Sequence, residues 1–306
     1  MITSRNRSDD LRRTLNRLGK MTPLADEIIV TADGCSDGTV AMIGSQFPHC
    51  SLLVNEPGQG SIYSRDQMLR MASGDLVVSL DDDSYPVDDD FFDKLNPLFA
   101  AHPEAAVITF PELRDDETFV PAFKSPQTPG HYVSAYPNGA AVMRRADYLK
   151  TSGFPAFFSH AYEEPDYALQ SYDHGKAVWF EPSLVIRHHL SKTNRDNLRT
   201  HHLNARNELW SVWMRCPWPW LPLVTLYRVL RQFCYAYSEG LSWVVREPQW
   251  WRDAVQGLDA CRKARNPIPW QTYVSWMRLA RRPLFQLSHL EAAFGVMLGS
   301  RSKVQD

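Results

Sequence analysis

Gly74-Asp75-Leu76-Val77-Val78-Ser79-Leu80-Asp81-Asp82-Asp83 carries the most informative pattern in the chain. Asp75–Leu80 is a short, largely aliphatic run with the signature of a strand buried on both faces, and three carboxylates stand directly past its end. The pattern recurs on either side, at Glu27–Ala32, Leu52–Asn55 and Ala105–Phe110. Amphipathic stretches lie between these runs: Leu11, Leu15 and Leu18 follow helical spacing, and Tyr63–Ala72 is closed by Ser73-Gly74. Strands alternating with helices predict an α/β domain built on a mostly parallel sheet. Pro165–His174, with Gly175 just past it, reads as a further helix. Val178–Phe180 and Leu184–Ile186 read as short strands, and Leu113–Tyr136 as a long irregular loop.

After about Leu190 the pattern changes. Arg199–Met214, Leu223–Val245, Trp250–Ala264 and Thr272–Ala280 read as helices separated by proline-containing breaks. The net charge of −2 conceals an asymmetry: residues 1–186 hold 15 basic against 27 acidic side chains, and residues 187–306 hold 18 against 8. Nine of the ten tryptophans follow Arg187. The chain therefore divides into a carboxylate-rich body, residues 1–195, and a helical, basic, tryptophan-rich region, residues 196–306. Aromatic side chains beside Arg suit a headgroup boundary, so docking on the inner leaflet of a membrane is one expectation. A helical subdomain packing its tryptophans inward, or a homodimer interface, is the alternative. The acidic body and the lack of a nucleic-acid-binding motif argue against nucleic acid as a partner.

At 44% hydrophobic and 22% charged, the composition excludes a disordered, collagen-like or disulfide-stapled chain. Five widely spaced cysteines without zinc spacing point to a reducing cytosol. The sequence shows no secretory signal pattern and no apolar run of the ~18 residues that would span a bilayer, so the expected location is cytoplasmic.

Asp81-Asp82-Asp83 is the strongest chemical signal. Strand ends in open α/β sheets are where ligands bind, and three adjacent carboxylates repel one another unless a cation sits among them. Mg²⁺ or Mn²⁺ would resolve that repulsion; a solvated acidic turn is the bland reading. Asp33-Gly34-Cys35-Ser36-Asp37-Gly38-Thr39 also follows a strand, and would leave Asp33 free at its tip while Ser36 or Asp37 caps the next helix. Glu163-Glu164-Pro165-Asp166 opens a helix, with acids that either complement its dipole or supply a general base. His188-His189 follows the strand Leu184–Ile186 and offers an imidazole ligand. Arg199, His201, His202 and Arg206 fall within two helical turns and either face a bound diphosphate or form an exposed basic helix.

In this order, Asp33-Gly34-x-Ser36-x-Gly38-Thr39, Gly74-Asp75-x₅-Asp81-Asp82-Asp83, Asn138-Gly139-Ala140, Glu163-Glu164-x-Asp166 and His188-His189 resemble the family 2 glycosyltransferases of the GT-A fold, over roughly residues 1–195. Thr3-Ser4-Arg5-Asn6-Arg7 looks like that family's exit from its first strand. The resemblance implies a Rossmann-like GT-A sheet, mixed and mostly parallel, with a C-terminal helical extension. It implies inverting transfer of a sugar from a UDP- or dTDP-sugar to an acceptor hydroxyl, in bacterial surface polysaccharide or glycolipid synthesis, onto a saccharide or lipid-linked acceptor. On the donor side it points to Thr3, Arg5, Asp33 at the nucleobase, Arg65, and Asp81 or Asp82 at the ribose. Asp83 would ligate Mn²⁺ or Mg²⁺ with Asp81 and His188 or His189. Asn138, Gly139 and Glu163 would lie on the acceptor side. The catalytic base is open between Glu164, which stands where the family usually has Asp, and Asp166; Glu164 is favoured. The rivals are a nucleotide-sugar-binding protein without transfer activity and a metal-dependent nucleotidyltransferase. The credible bases argue against the first, and the lack of a glycine-rich phosphate loop argues against the second.

Overall fold

The structure is a computed structural model describing residues 1–120, 127–189 and 196–299. The acidic body alternates β1 (Ile2–Ser4), α1 (Ser8–Leu18), β2 (Ile29–Asp33), α2 (Thr39–Gln46), β3 (Ser51–Asn55), α3 (Ser61–Met71) and β4 (Leu76–Asp81). It continues through β5 (Ser84–Pro86), α4 (Phe91–Ala101), β6 (Ala105–Thr109), β7 (Glu112–Leu113), β8 (Phe119–Val120) and β9 (His131–Tyr132). Then come β10 (Ala141–Arg144), α5 (Arg145–Tyr148), α6 (Glu163–Asp173), β11 (Ala177–Phe180) and β12 (Ile186–His188). The C-terminal region is helical: α7 (Asn197–Arg215), α8 (Leu221–Glu239), α9 (Leu241–Val244), α10 (Glu247–Gln256), α11 (Leu258–Lys263), α12 (Trp270–Leu279) and α13 (Leu287–Phe294).

The main sheet has eight strands in the order β3-β2-β1-β4-β10-β6-β11-β9. Strands β3, β2, β1 and β4 are parallel, β10 runs antiparallel between β4 and β6, β11 is parallel to β6, and β9 closes the edge antiparallel. All five residues of β2 and of β6 are buried, which is why both read as continuous apolar runs. Leu11, Leu15 and Leu18 of α1 pack into the core as their spacing requires. A second, four-stranded sheet, β5-β12-β7-β8, leans on the first. This is the mixed, mostly parallel, helix-flanked architecture expected, followed by helices.

Several boundaries differ from the sequence reading. The segment Leu113–Tyr136 contributes paired residues in β7, β8 and β9, pairings too short to show periodicity; residues 121–126 of it lie outside the described residues. The strand expected at Leu184–Ile186 is instead β12, because pairing with β5 sets Ile186 opposite Pro86 and His188 opposite Ser84. Helix α6 begins at Glu163 after Tyr162 in the left-handed region, so Pro165 is its third residue rather than its first. The expected helix Leu223–Val245 breaks at Gly240 (φ 119°), and Trp250–Ala264 breaks at Gly257. Leu190 and the boundary at 195 fall within residues 190–195, outside the described ones. No described helix is long and apolar enough to cross a membrane.

The C-terminal helices are locked to the body through α6. The Asp166 carboxylate is fully buried and bridges Arg215 of α7, Nε to Oδ1 at 3.1 Å and Nη2 to Oδ2 at 3.0 Å. Ser211 Oγ (2.7 Å) and Gln170 Nε2 (2.8 Å) also donate to it. Breaking such a pair leaves an uncompensated buried guanidinium, at a cost of about 3–5 kcal/mol. Glu164, two residues earlier, is only half-buried and accepts one long backbone bond. Urea unfolding is therefore expected to show Asp166→Asn losing roughly 3–5 kcal/mol and Glu164→Gln less than about 1 kcal/mol.

Candidate active site

The chain leaves β1 outward to β2 and β3, then returns to β4 on the other side of β1. That reversal opens a crevice at the carboxyl ends of β1 and β4, and Asp81-Asp82-Asp83 occupies it. The turn is pinned by Ser84, whose Oγ accepts the Asp81 N–H (2.9 Å) and donates to the Gly139 carbonyl (2.9 Å). Gly139 is needed there: a Cβ on it would lie 2.5 Å from Asp81 Oδ2.

The three carboxylates diverge. Asp81 accepts Arg65 Nη2 at 2.5 Å. Asp82 turns inward to Ser4 Oγ (2.8 Å) and Arg7 Nη1 (3.1 Å), and burial pushes its pKa up to about 7 against the pull of Arg7. Asp83 is buried, with His188 Nε2 3.1 Å from its Oδ1. His188 Nε2 is also 3.8 Å from Asp81 Oδ2, and its Nδ1 lies 3.3 Å from Glu112 Oε1. Although burial opposes charge on His188, its bonds to Asp83 and Glu112 raise its pKa to about 9. Asp81, Asp83 and His188 can each offer one ligand atom, all within 4.8 Å of one another. Two carboxylate oxygens and an imidazole nitrogen suit a divalent cation. The 3.3 Å approach of Nδ1 to Glu112 suits that reading too, since ligating histidines usually turn their second nitrogen to a carboxylate.

Arg65, buried on α3, spans the site. Its Nη1 reaches Glu163 Oε1 at 2.9 Å, so one guanidinium joins β4 to α6. Asn138 Nδ2 donates to the same Glu163 oxygen (2.9 Å), and the Asn138 backbone N–H points to Glu164 Oε1 (3.4 Å). Burial, then the adjacent Glu163 charge, hold the Glu164 carboxyl well above the usual carboxylate range. Of the three acids in the first turn of α6, two are engaged by buried arginines, Glu163 by Arg65 and Asp166 by Arg215. Glu164 makes no ion pair among the described residues.

Other expected residues stand apart from this cluster. Asp166 faces α7, so its carboxylate does not reach the crevice. His189 bonds the Tyr85 hydroxyl (2.7 Å) and Asp115, away from Asp83. Arg206 lies over the Trp210 ring (4.2 Å) and donates to the Phe158 carbonyl (2.9 Å), and His201 is buried against Glu247 (2.8 Å). Arg199 is exposed at the start of α7. Asp33 is not free at its strand tip. It accepts the N–H groups of Gln59 and Gly60 (both 2.8 Å), Asn55 Nδ2 (3.1 Å) and Ser64 Oγ (3.3 Å), so its carboxylate shapes the entry to α3. The N-cap of α2 is Gly38, without a side-chain cap, and not Ser36 or Asp37; Asp37 accepts the Thr39 N–H from one residue earlier, at 3.0 Å. Thr3 sits in β1 beside Asp81, and Arg5 is exposed just past it. Arg7, quoted above only as part of the exit from the first strand, and Glu112, not singled out, enter the cluster. Their place just past β1 and β6 was the available signal.

Residues 1–133 match the profile of the family described as "Glycosyl transferase family 2". That stretch holds Asp33, Arg65, Asp81–Asp83 and Glu112, while α6 and β12 lie beyond it. No curated protein sequence matches the chain. Among solved structures, S. aureus TarS 1-349 in complex with UDP is similar at TM-score 0.60 and 15% identity, over 97% of this chain and 89% of that one. The Pyrobaculum calidifontis mannosyltransferase PcManGT with GDP-Man and Mn²⁺ is similar at 0.56 and 15%, over 95% and 84%. GalNAc-T7 with UDP, GalNAc and Mn²⁺ is similar at 0.57 and 14%, over 72% of this chain and 48% of that one, so the match spans about half its length. The fold is the GT-A glycosyltransferase fold. Within it, the likeness to glycosyl transferase family 2 covers residues 1–133.

Because a methyl group on residue 139 would displace Asp81, Gly139→Ala is expected to weaken divalent-cation binding by about 10–100-fold. Mn²⁺ titration followed by water-proton relaxation, with circular dichroism as the folding control, measures this.

Proposed function

We propose that this chain transfers a sugar from a nucleoside-diphosphate sugar, a UDP- or dTDP-sugar in the first instance, to an acceptor hydroxyl with inversion. One observation carries the reading: Asp81, Asp83 and His188 converge at the sheet's reversal point, joined through Arg65 and Asn138 to a turn bearing the uncommitted Glu164. Those three residues would hold Mn²⁺ or Mg²⁺, which when bound neutralises the diphosphate leaving group. Arg65 holds the Asp81 and Glu163 carboxylates in place. Asn138 anchors both glutamates. Glu164 takes the acceptor hydroxyl proton onto its carboxylate as the oxygen attacks the anomeric carbon opposite the leaving group. The acceptor is a saccharide or a lipid-linked saccharide, as in surface polysaccharide or glycolipid synthesis. A nucleotidyltransferase would not require a general base at this position.

The outer face of α8 supports a peripheral membrane contact. Leu223, Leu226, Leu230, Phe233 and Tyr237 recur at helical spacing and are exposed, and Leu241, just past the break at Gly240, is exposed too. Exposed Arg246, Arg281 and Arg282 in the same region would complement anionic headgroups. Cosedimentation with anionic but not neutral vesicles, lost at high salt, is the expected result. A lipid-indifferent dimer in solution would assign the stripe to a second copy instead.

Replacing the base should leave donor binding in place and slow chemistry. Glu164→Gln is expected to lower kcat by about 10²–10⁴-fold with nucleotide affinity retained in calorimetry. The base works only when deprotonated and its pKa is raised, so wild-type activity should fall, as pH drops, above the ordinary carboxylate range. Undiminished turnover in Glu164→Gln would refute the assignment.

A further inference from the structure

A cavity of about 690 Å³ lies between the start of α6 and helices α7, α8 and α12, outside the cluster described above. Two of its wall residues, Tyr162 and Pro165, flank Glu163-Glu164, so it adjoins the turn that carries the proposed base. Ser134 and Ala135, shortly before Asn138, form another part of the wall, fixed by Trp276 Nε1 donating to the Ser134 carbonyl at 2.7 Å.

The chemistry of this cavity is unbalanced. Arg228, Arg231, Arg278 and Arg281 line it against a single carboxylate, Glu208. Glu208 is itself buried and already engaged by Arg228 (2.9 Å), Arg231 (2.5 Å) and Gln232 (2.5 Å), with the Tyr162 hydroxyl 3.3 Å away. It therefore neutralises one guanidinium and orients two. Arg228 Nε is buried with no hydrogen-bond partner among the described residues, and Arg281 is aimed by its bond to the Tyr227 hydroxyl (2.6 Å). Donors outnumber available acceptors, which suits an oxygen-rich anion and not a neutral sugar, whose hydroxyls need both. Beside the arginines, Trp220 stacks on Trp270 at 4.7 Å and 10°, and Trp270 stacks on Tyr273 at 5.9 Å and 12°. Trp220 and Trp270 face the cavity and give it a flat apolar wall.

We propose that this cavity is the acceptor site, and that the acceptor carries a phosphate or diphosphate, held by Arg228, Arg231, Arg278 and Arg281, next to its sugar. The inference rests on the transferase reading and supplies the acceptor's class. The phosphate could belong to a soluble glycosyl phosphate or to the headgroup of a lipid carrier, and the chemistry at the arginines is the same.

The test uses the full chain saturated with UDP and Mn²⁺, so that the crevice at Asp81 is filled. N-acetylglucosamine 1-phosphate and N-acetylglucosamine are titrated against it, with binding read by calorimetry and tryptophan fluorescence. The phosphate is expected to bind at least about tenfold more tightly. That advantage should disappear in Arg278→Gln/Arg281→Gln, a pair of exposed residues whose replacement leaves Glu208 paired with Arg228 and Arg231. Geranyl diphosphate, titrated in parallel, separates the sources: tighter binding than inorganic pyrophosphate points to a lipid carrier, and equal binding to a soluble phosphate. No preference for the phosphate, or a preference that survives in the double variant, overturns the proposal. If UDP and Mn²⁺ do not bind, the donor reading fails by itself, and the same comparison in nucleotide-free protein still decides the cavity.

Discussion

Three consecutive carboxylates at the end of a buried strand cannot all ionise without cations, and the site is arranged around that constraint. Arg65 takes Asp81, Arg7 takes Asp82, and His188 stands against Asp83. Each partner arrives from a different element: α3, the exit of β1, and β12 of the second sheet. Satisfying the acids therefore assembles the crevice. Arg65 does most, because its second arm holds Glu163 and so ties α6 to the central strand. A lysine there, a single point charge, could not bridge two carboxylates in that planar geometry.

The same logic sorts the acids of α6. Glu163 and Asp166 are buried and paired, one toward the sheet and one toward α7. Their ion pairs are positional: they orient the helix from both sides. Glu164 lies between them with no ion-paired guanidinium among the described residues, and burial together with Glu163's charge raises its pKa. A carboxyl with a raised pKa is a better proton acceptor than an ordinary one, and perturbed groups of this kind gather where chemistry is done.

The C-terminal helices take two roles. Their inner side, through Arg215, Trp210 and Trp276, is part of the folded body. Their outer side leaves the stripe of α8 exposed and encloses an arginine-rich cavity beside α6. Both features read at first as one property, a basic and tryptophan-rich composition. Which tryptophans are buried depends on contacts from elements far away in sequence, such as the Ser134 carbonyl for Trp276.

The alternation of strands and helices, the parallel sheet and the position of Asp81–Asp83 past a buried strand were legible in the sequence, because periodicity and short-range sterics determine them locally. Two-residue strands such as β7 and β9 were not, since pairing alone defines them. The Glu163, Glu164 and Asp166 cluster could be seen, but not which acid is free: that depends on arginines 98 and 49 residues away in the chain. His188 and His189 are adjacent and chemically identical, yet one faces Asp83 and the other Asp115, because neighbouring residues of an extended chain point to opposite sides. Sequence determined which residue types could make a cation and proton-transfer site. Tertiary structure decided which of them meet, because burial forces each charge to find a partner and leaves free only those that no partner reaches.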